Sequence, residues 1–283
     1  MSDPLAVAPV TSTAAASAPR GVGLLRALVA IGNALLAIVV IFVAWQLIVK
    51  GAHLDKFTTR GPLDVWKYLR DKTFADEHKE IYEATRITVR DAALGLVCGT
   101  VAGVGVALLF NRWRFLERAL MPIAISFRAI PIVAMTPVIV LIFHRGLVTV
   151  AVMVGIVTFF PTLVNVGLAL RAVPTSSIDL MQAYGASKGR TLWKVQLPSS
   201  LPALMASIRI AAPLALVGAF LAEWLATNEG LGSVMITAAP ASLYNKLWAS
   251  AAIATLLGVL LYGVVSGIEQ IVLQRFSADP DRR

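Results

Sequence analysis

Charge is scarce in this sequence. Only 14% of its 283 residues are Asp, Glu, Lys or Arg, where a soluble domain would carry roughly 25%. Hydrophobic types make up 58%, more than a globular core of this length can bury, so lipid is the expected solvent. Cysteine occurs once, as Cys98 inside an apolar run, which excludes a disulfide framework and a cysteine-based metal site. The three histidines, His53, His78 and His144, lie far apart without ligand spacing. No phosphate-binding G-x-x-x-x-G-K-[ST] loop occurs; "GASKGR" (185–190) lacks the spacing. The clustered His, Asp or Glu that an integral-membrane enzyme would need are absent. No period of 20–50 residues repeats, and no inverted repeat of the secondary-transporter kind is visible. No catalytic group, metal or cofactor is therefore expected. The formal net charge is +9, but the basic residues are scattered through connectors, the pattern of loops against membrane lipid headgroups rather than of nucleic-acid binding.

What is abundant is long apolar sequence. Residues 1–22, rich in Ala, Ser, Thr and Pro, read as a disordered cytoplasmic tail. Within 23–49, the run 27–49 carries no charge; it exceeds a signal-peptide core and suits an uncleaved first transmembrane helix. Five more spans are expected over about 87–110, 119–143, 147–170, 204–226 and 249–273. The fold class is thus an all-α integral membrane protein of about six transmembrane helices. Arg20, Arg26, the connector "NRWRFLER" (111–118), the 171–198 loop and the 274–283 tail share one side, which the positive-inside rule makes cytoplasmic. Segment 50–91 conflicts with that assignment, holding nine Lys or Arg with eight Asp or Glu. In "GPLDVWKYLRD", Pro62 suits a helix start, with Leu63, Trp66 and Leu69 on one face and Trp66 and Tyr68 suited to headgroups. A short extracytoplasmic interfacial helix is expected within 50–83. A solvated helix packing on a neighbouring subunit is the alternative.

Inside the spans, Gly95, Gly99 and Gly103 recur every fourth residue and give one helix face room for close packing. The third span holds Pro122, Pro131 and Pro137, each removing a backbone donor. Arg128 in the same span must face protein or water. Arg128, Thr136, Asn165 and Glu223 are candidates for the pathway or gate; the bland readings are a capping or snorkelling arginine, and a Glu223 that caps the "NEGLG" turn. A proton relay through Glu223 lacks a second intramembrane acid in this reading.

The loop "DLMQAYGASKGRTLWKVQLP" (179–198) is long, polar and basic. Thr175, Ser176 and Ser177 are helix-capping types, and Ile178 and Met181 give the following helix a short apolar face. Gly185 is free to turn the chain sharply. A second short helix sets Leu192 and Val195 against Lys188, Arg190 and Lys194, with Pro198 stopping it and Pro202 in the first turn of the next span. A bent pair of amphipathic helices of this size reads as a docking element rather than a spacer.

This stretch resembles the coupling-loop motif of ABC importer permeases of the binding-protein-dependent, type I (MetI-like) superfamily: E-A-A, three residues, G, nine residues, I, one residue, L-P. Asp179 stands at the Glu position, Gly185 at the glycine, Val195 at the isoleucine, and Leu197-Pro198 match the ending. Leu180 and Met181 replace the two alanines, a bulkier grip tuned to one partner. "FRAIPIVAMTPVIVLIF" (127–143) and "LAEWLATNEGLGSVM" (221–235) resemble the nitrate/sulfonate/taurine-type branch, in which a glycine often stands where this chain has His144. The likeness covers about 84–273. It implies a non-catalytic permease subunit that pairs with a second permease copy, as a homodimer or a heterodimer, receives solute from an extracytoplasmic substrate-binding protein, and docks cytoplasmic ABC ATPase subunits. The ATPase grip would fall on Asp179, Met181, Gly185, Ala186, Leu192, Val195, Leu197 and Pro198. The rival, an ion-coupled secondary transporter, would want paired intramembrane acids and internal symmetry.

Overall fold

A computed structural model describes residues 39–51, 55 and 57–276. The expected tail 1–22, the first part of the expected first span and the final residues 277–283 lie outside them. Helix α1 (Val39–Gly51) is apolar and falls in a separate unit, Met1–Leu54. The second unit begins at Asp55, and all regular structure among the described residues is helical.

In this second unit α2 (Pro62–Arg70) starts on a proline, and Asp64 Oδ2 accepts the Gly61 N–H at 3.0 Å. Its buried face is Pro62, Val65 and Tyr68; Leu63, Trp66 and Leu69 share the exposed one. Tyr68 therefore turns inward rather than toward headgroups. Its hydroxyl donates to Glu77 Oε2 at 2.5 Å, and its carbonyl meets His78 Nε2 at 2.9 Å. Burial, reinforced by Glu77, pushes the phenol well above its ordinary pKa.

Helix α3 (Ala75–Arg112) has 38 residues, roughly 57 Å of rise, against about 30 Å of hydrocarbon. The expected span 87–110 is its second part; the start projects beyond and meets α11 (Tyr244–Phe276). There Glu80 pairs with Lys246 at 2.6 Å, Trp248 donates to the Thr58 carbonyl at 2.9 Å, and Arg60 Nε donates to Asn245 Oδ1 at 2.5 Å. Phe57 and Tyr244 stack edge to face. The charged segment that strained the charge rule is thus a folded layer in its described part.

The expected third span is two helices, α4 (Arg114–Arg128) and α5 (Ile132–Phe143), bent by 106°. Pro131 is the cause: it lacks an N–H and drives Ile130 out of helical backbone, and it sits at the start of α5 with φ −59° and ψ 125°. Pro122 and Pro137 stay inside their helices. Among the described residues, four helices are long and apolar enough to cross a membrane, five if the bent pair is one span.

Helix α6 (Leu147–Arg171) packs into α3. Gly95, Gly99 and Gly103 are buried at this seam. A Cβ on Gly99 would lie 2.6 Å from the Gly155 carbonyl oxygen, and one on Gly103 would lie 2.9 Å from that of Phe159. Close approach lets Thr158 Oγ1 donate across to the Gly95 carbonyl at 3.2 Å. Helix α9 (Leu197–Ala222) completes the core with Ala215, Ala219 and Ala222 against Val150, Met153 and Val154.

Candidate functional site: an exposed hook and a buried clasp

At the end of the bundle where α3 and α6 finish, the chain leaves in α7 (Thr175–Ala183). Pro174, not a hydroxyl, occupies its N-cap, and no side chain caps it; a proline there leaves Thr175–Ser177 inside the first turn. The helix ends at Gly185, φ +68°. The Ala186 N–H bonds the Met181 carbonyl at 2.9 Å and the Gly185 N–H bonds that of Gln182 at 2.8 Å, the paired bonds of a Schellman stop. A Cβ at Gly185 would meet nothing within 4 Å, so its backbone conformation is what calls for glycine.

The return helix α8 (Lys188–Thr191) is capped by Ser187 Oγ, which accepts the Arg190 N–H. It continues through a widened turn, Leu192–Gln196, directly into α9. Pro198 does not stop this helix. The Leu197 N–H reaches back five residues to the Leu192 carbonyl, and that π-type turn accommodates the donor Pro198 lacks. Pro202 likewise lies within α9 rather than in its first turn.

Two layers emerge in the hook. Leu192 packs inward on Ala107, Phe110, Leu163, Val166 and Leu170; Met181, Ala186, Val195 and Leu197 are half-buried, and Gln196 Oε1 accepts from Asn111 of α3 at 3.1 Å. Leu180 (58%), Tyr184 (81%) and Trp193 (72%) stand exposed, as do Asp179 and Pro198. Sequence reasoning named neither Tyr184 nor Trp193 among the candidate grip residues; aromatic side chains in a polar, basic loop were the available signal. A cavity of about 840 Å³ lies under the hook, walled by Asn111, Ile178, Gln182 and Leu192.

Toward the opposite end, Glu223 opens a second widened turn, Glu223–Thr227, and is fully buried. Its Oε2 accepts the Gly232 N–H at 2.7 Å, and Thr88 Oγ1 of α3 accepts the Leu231 N–H at 2.9 Å. Together they satisfy the opening donors of α10 (Gly230–Ala238), a carboxylate at the positive end of a helix. A Cβ on Gly232 would lie 2.9 Å from the Phe220 carbonyl, and Gly230, at φ +86°, leaves no room beside the carboxylate. Glu223 is thus a clasp among α3, α9 and α10.

The remaining candidates do not gather with it. Arg128 is the last residue of α4, at the 106° bend. Thr136 is buried and donates to the Ile132 carbonyl of its own helix at 3.1 Å; Asn165 is half-buried on α6. Two further acids lie within the expected spans, correcting the view that Glu223 stands without a second. Glu269 of α11 pairs with Arg209 of α9 at 2.9 Å, and Asp91 of α3 pairs with Arg90 at 2.8 Å. Both were readable as charges inside apolar runs. Among the described residues, no three His, Cys, Asp or Glu side chains group to hold a metal.

Residues 95–278 match the family described as binding-protein-dependent transport system inner membrane component. The chain is 31% identical over 229 residues, covering 81% of itself and 91% of the relative, to the "Probable ABC transporter permease protein" of Haemophilus influenzae. It is 31% identical to the formylaminopyrimidine transport permease protein ThiX of Halalkalibacterium halodurans, over 66% of this chain and 74% of that one. The putative aliphatic sulfonates transport permease protein SsuC of Bacillus subtilis is 26% identical, over 69% and 71%. Among solved structures, an inward-facing MetNI methionine ABC transporter chain superposes with a TM-score of 0.57 at 22% identity, covering 71% of this chain and 99% of that one. The chain belongs to the binding-protein-dependent transport-system inner membrane components, the permeases of ABC transporters.

Proposed function

We propose that the chain is the membrane-spanning half of an ATP-driven importer, and that residues 179–198 carry the motion of a separate cytoplasmic ATPase into its helices. The observation that carries this reading is the layering of the hook. Leu180, Tyr184 and Trp193 are presented to solvent on a stop locked by two backbone bonds, while Leu192 is rooted among α3 and α6. A force on the exposed layer passes to both helices and, through the unbroken 188–227 run, to the clasp at the far end. The hook bears Lys188, Arg190 and Lys194, and Arg112, Arg114, Arg118 and Arg171 stand at the same end of the bundle. That concentration supports a cytoplasmic hook with both termini on its side. Six spans then comprise α1, the bent α4–α5 pair and the four long helices. A second permease subunit, the same chain or a different one, and an extracytoplasmic binding protein complete the transporter, with Arg128, Thr136 and Asn165 as gate candidates.

The solute is a small sulfonate, taurine, nitrate or a related organic compound. A pyrimidine precursor is the second reading, favoured by higher identity to the formylaminopyrimidine permease than to the sulfonate one. The deciding experiment is cysteine cross-linking from position 184 in a Cys98→Ser background. Capture of a nucleotide-hydrolysing subunit is the expected result; labelling of position 184 from outside the cell would sink the proposal. Uptake of radiolabelled taurine against formylaminopyrimidine in transport-deficient cells separates the two solute classes.

A further inference from the structure

A cavity of about 520 Å³ lies where α4 begins, beside the end of α6. Its charged rim is Arg114, Arg118 and Arg171 with Glu117; its inner wall is Met121, Pro122 and Ile125. Arg171 and Glu117 form an ion pair, which leaves two arginines uncompensated. Neither the Arg114 nor the Arg118 side chain has a hydrogen bond or ion pair among the described residues. They are one helical turn apart and so share a face of α4.

The position of this rim is set by the helices around it. α3 ends at Arg112 and α6 at Arg171, so the rim lies at the end of two spans, in the headgroup layer. Trp113 and Phe115, beside the rim, are 52% and 82% exposed, as side chains at a membrane–water boundary are. From Arg118 to Ile125 the helix advances roughly 10 Å, the distance from a headgroup to the upper acyl chain. Charge over an apolar wall, in that order along one helix, is the profile of a single phospholipid molecule.

The geometry points to a site for one anionic phospholipid: its phosphate lies between Arg114 and Arg118, and an acyl chain runs along Met121, Pro122 and Ile125. A free phosphate ion would use only the rim, and an acidic protein surface would leave the apolar wall unused. This site depends on the chain's membrane placement, not on the docking of an ATPase at the hook.

The test is native mass spectrometry of the full-length chain released from mixed micelles of phosphatidylglycerol and phosphatidylcholine. The chain is expected to retain phosphatidylglycerol in preference. R114Q/R118Q should weaken that retention about five-fold per arginine removed, with phosphatidylcholine unaffected, and R114K/R118K should keep most of it. Equal retention by wild type and R114Q/R118Q, with both eluting as folded protein, overturns the proposal. So does displacement of the lipid by millimolar inorganic phosphate, which would make the site an ion site. Loss of ATPase co-purification in R114Q/R118Q with lipid retention unchanged would also overturn it, assigning the arginines to a protein partner. Should R114Q/R118Q fail to fold, Ile125→Trp, which fills the acyl wall and spares the rim, is expected to lower lipid retention alone; unchanged retention there counts equally against the site.

Discussion

Gly99 and Gly185 are the same residue used for opposite reasons. At Gly99 the backbone is ordinary helix, but a Cβ would strike the Gly155 carbonyl of a neighbouring helix. At Gly185 a Cβ would meet open space, yet φ is +68°. One glycine makes room between α3 and α6; the other makes a turn. The seam is closed against a neighbouring helix and the hook's turn faces open space, so the proposed docking role predicts that the hook can be distorted while the fold stands.

The largest effect is expected from Gly99→Leu. Overpacking against a backbone oxygen should destabilise the chain by about 3 kcal/mol or more, read as loss of folded yield and of the melting transition in detergent. Next comes Glu223→Ala, which strands the Gly232 N–H in a buried site and should cost about 1–3 kcal/mol. Glu223→Gln keeps an acceptor and should melt closer to wild type; equal melting of all three proteins would dissolve the clasp. Gly185→Val should add about 1–2 kcal/mol of local strain, leaving insertion intact and lowering the melting transition less than Gly99→Leu does, while solute-stimulated ATP hydrolysis falls to the unstimulated rate. If Gly185→Val instead melts like Gly99→Leu, the distinction between seam and hook fails. Smallest, and of opposite sign, is His144→Gly. His144 holds φ 63° and ψ 177° at the end of α5, a region nearly reserved for glycine. Relief of that strain should raise stability by about 1 kcal/mol, seen as a higher melting temperature.

Much of the helical layout was legible beforehand, because apolar runs of membrane length and glycine or proline punctuation act locally. The expected spans near 87–110, 147–170, 204–226 and 249–273 each fall within a long helix, and the turn at Gly185 stands where its φ demanded. Prolines misled twice in the same direction. Pro198 and Pro202 looked like boundaries and lie in continuing helix; at Pro198 a widened turn upstream absorbs the missing donor. Pro131, one of three prolines in a run, breaks its helix where Pro122 and Pro137 do not. Leu63, Trp66 and Leu69 do share one face of α2, but Tyr68, expected among headgroups, is drawn in by Glu77 and His78, partners that periodicity within α2 cannot display.

The sequence by itself determined that the chain is helical, lipid-embedded and armed with a glycine-turned basic loop. Those properties follow from composition, run length and single-residue backbone preference. Only the tertiary structure decided that Thr88 and Glu223 jointly cap α10, across 143 residues in the first case, and that Arg209 meets Glu269. It also decided that Leu192 roots the hook while Tyr184 is offered outward. The reason is physical: a buried polar group must find a partner wherever the fold brings one, and which partner that is depends on how helices far apart in sequence come to lie together.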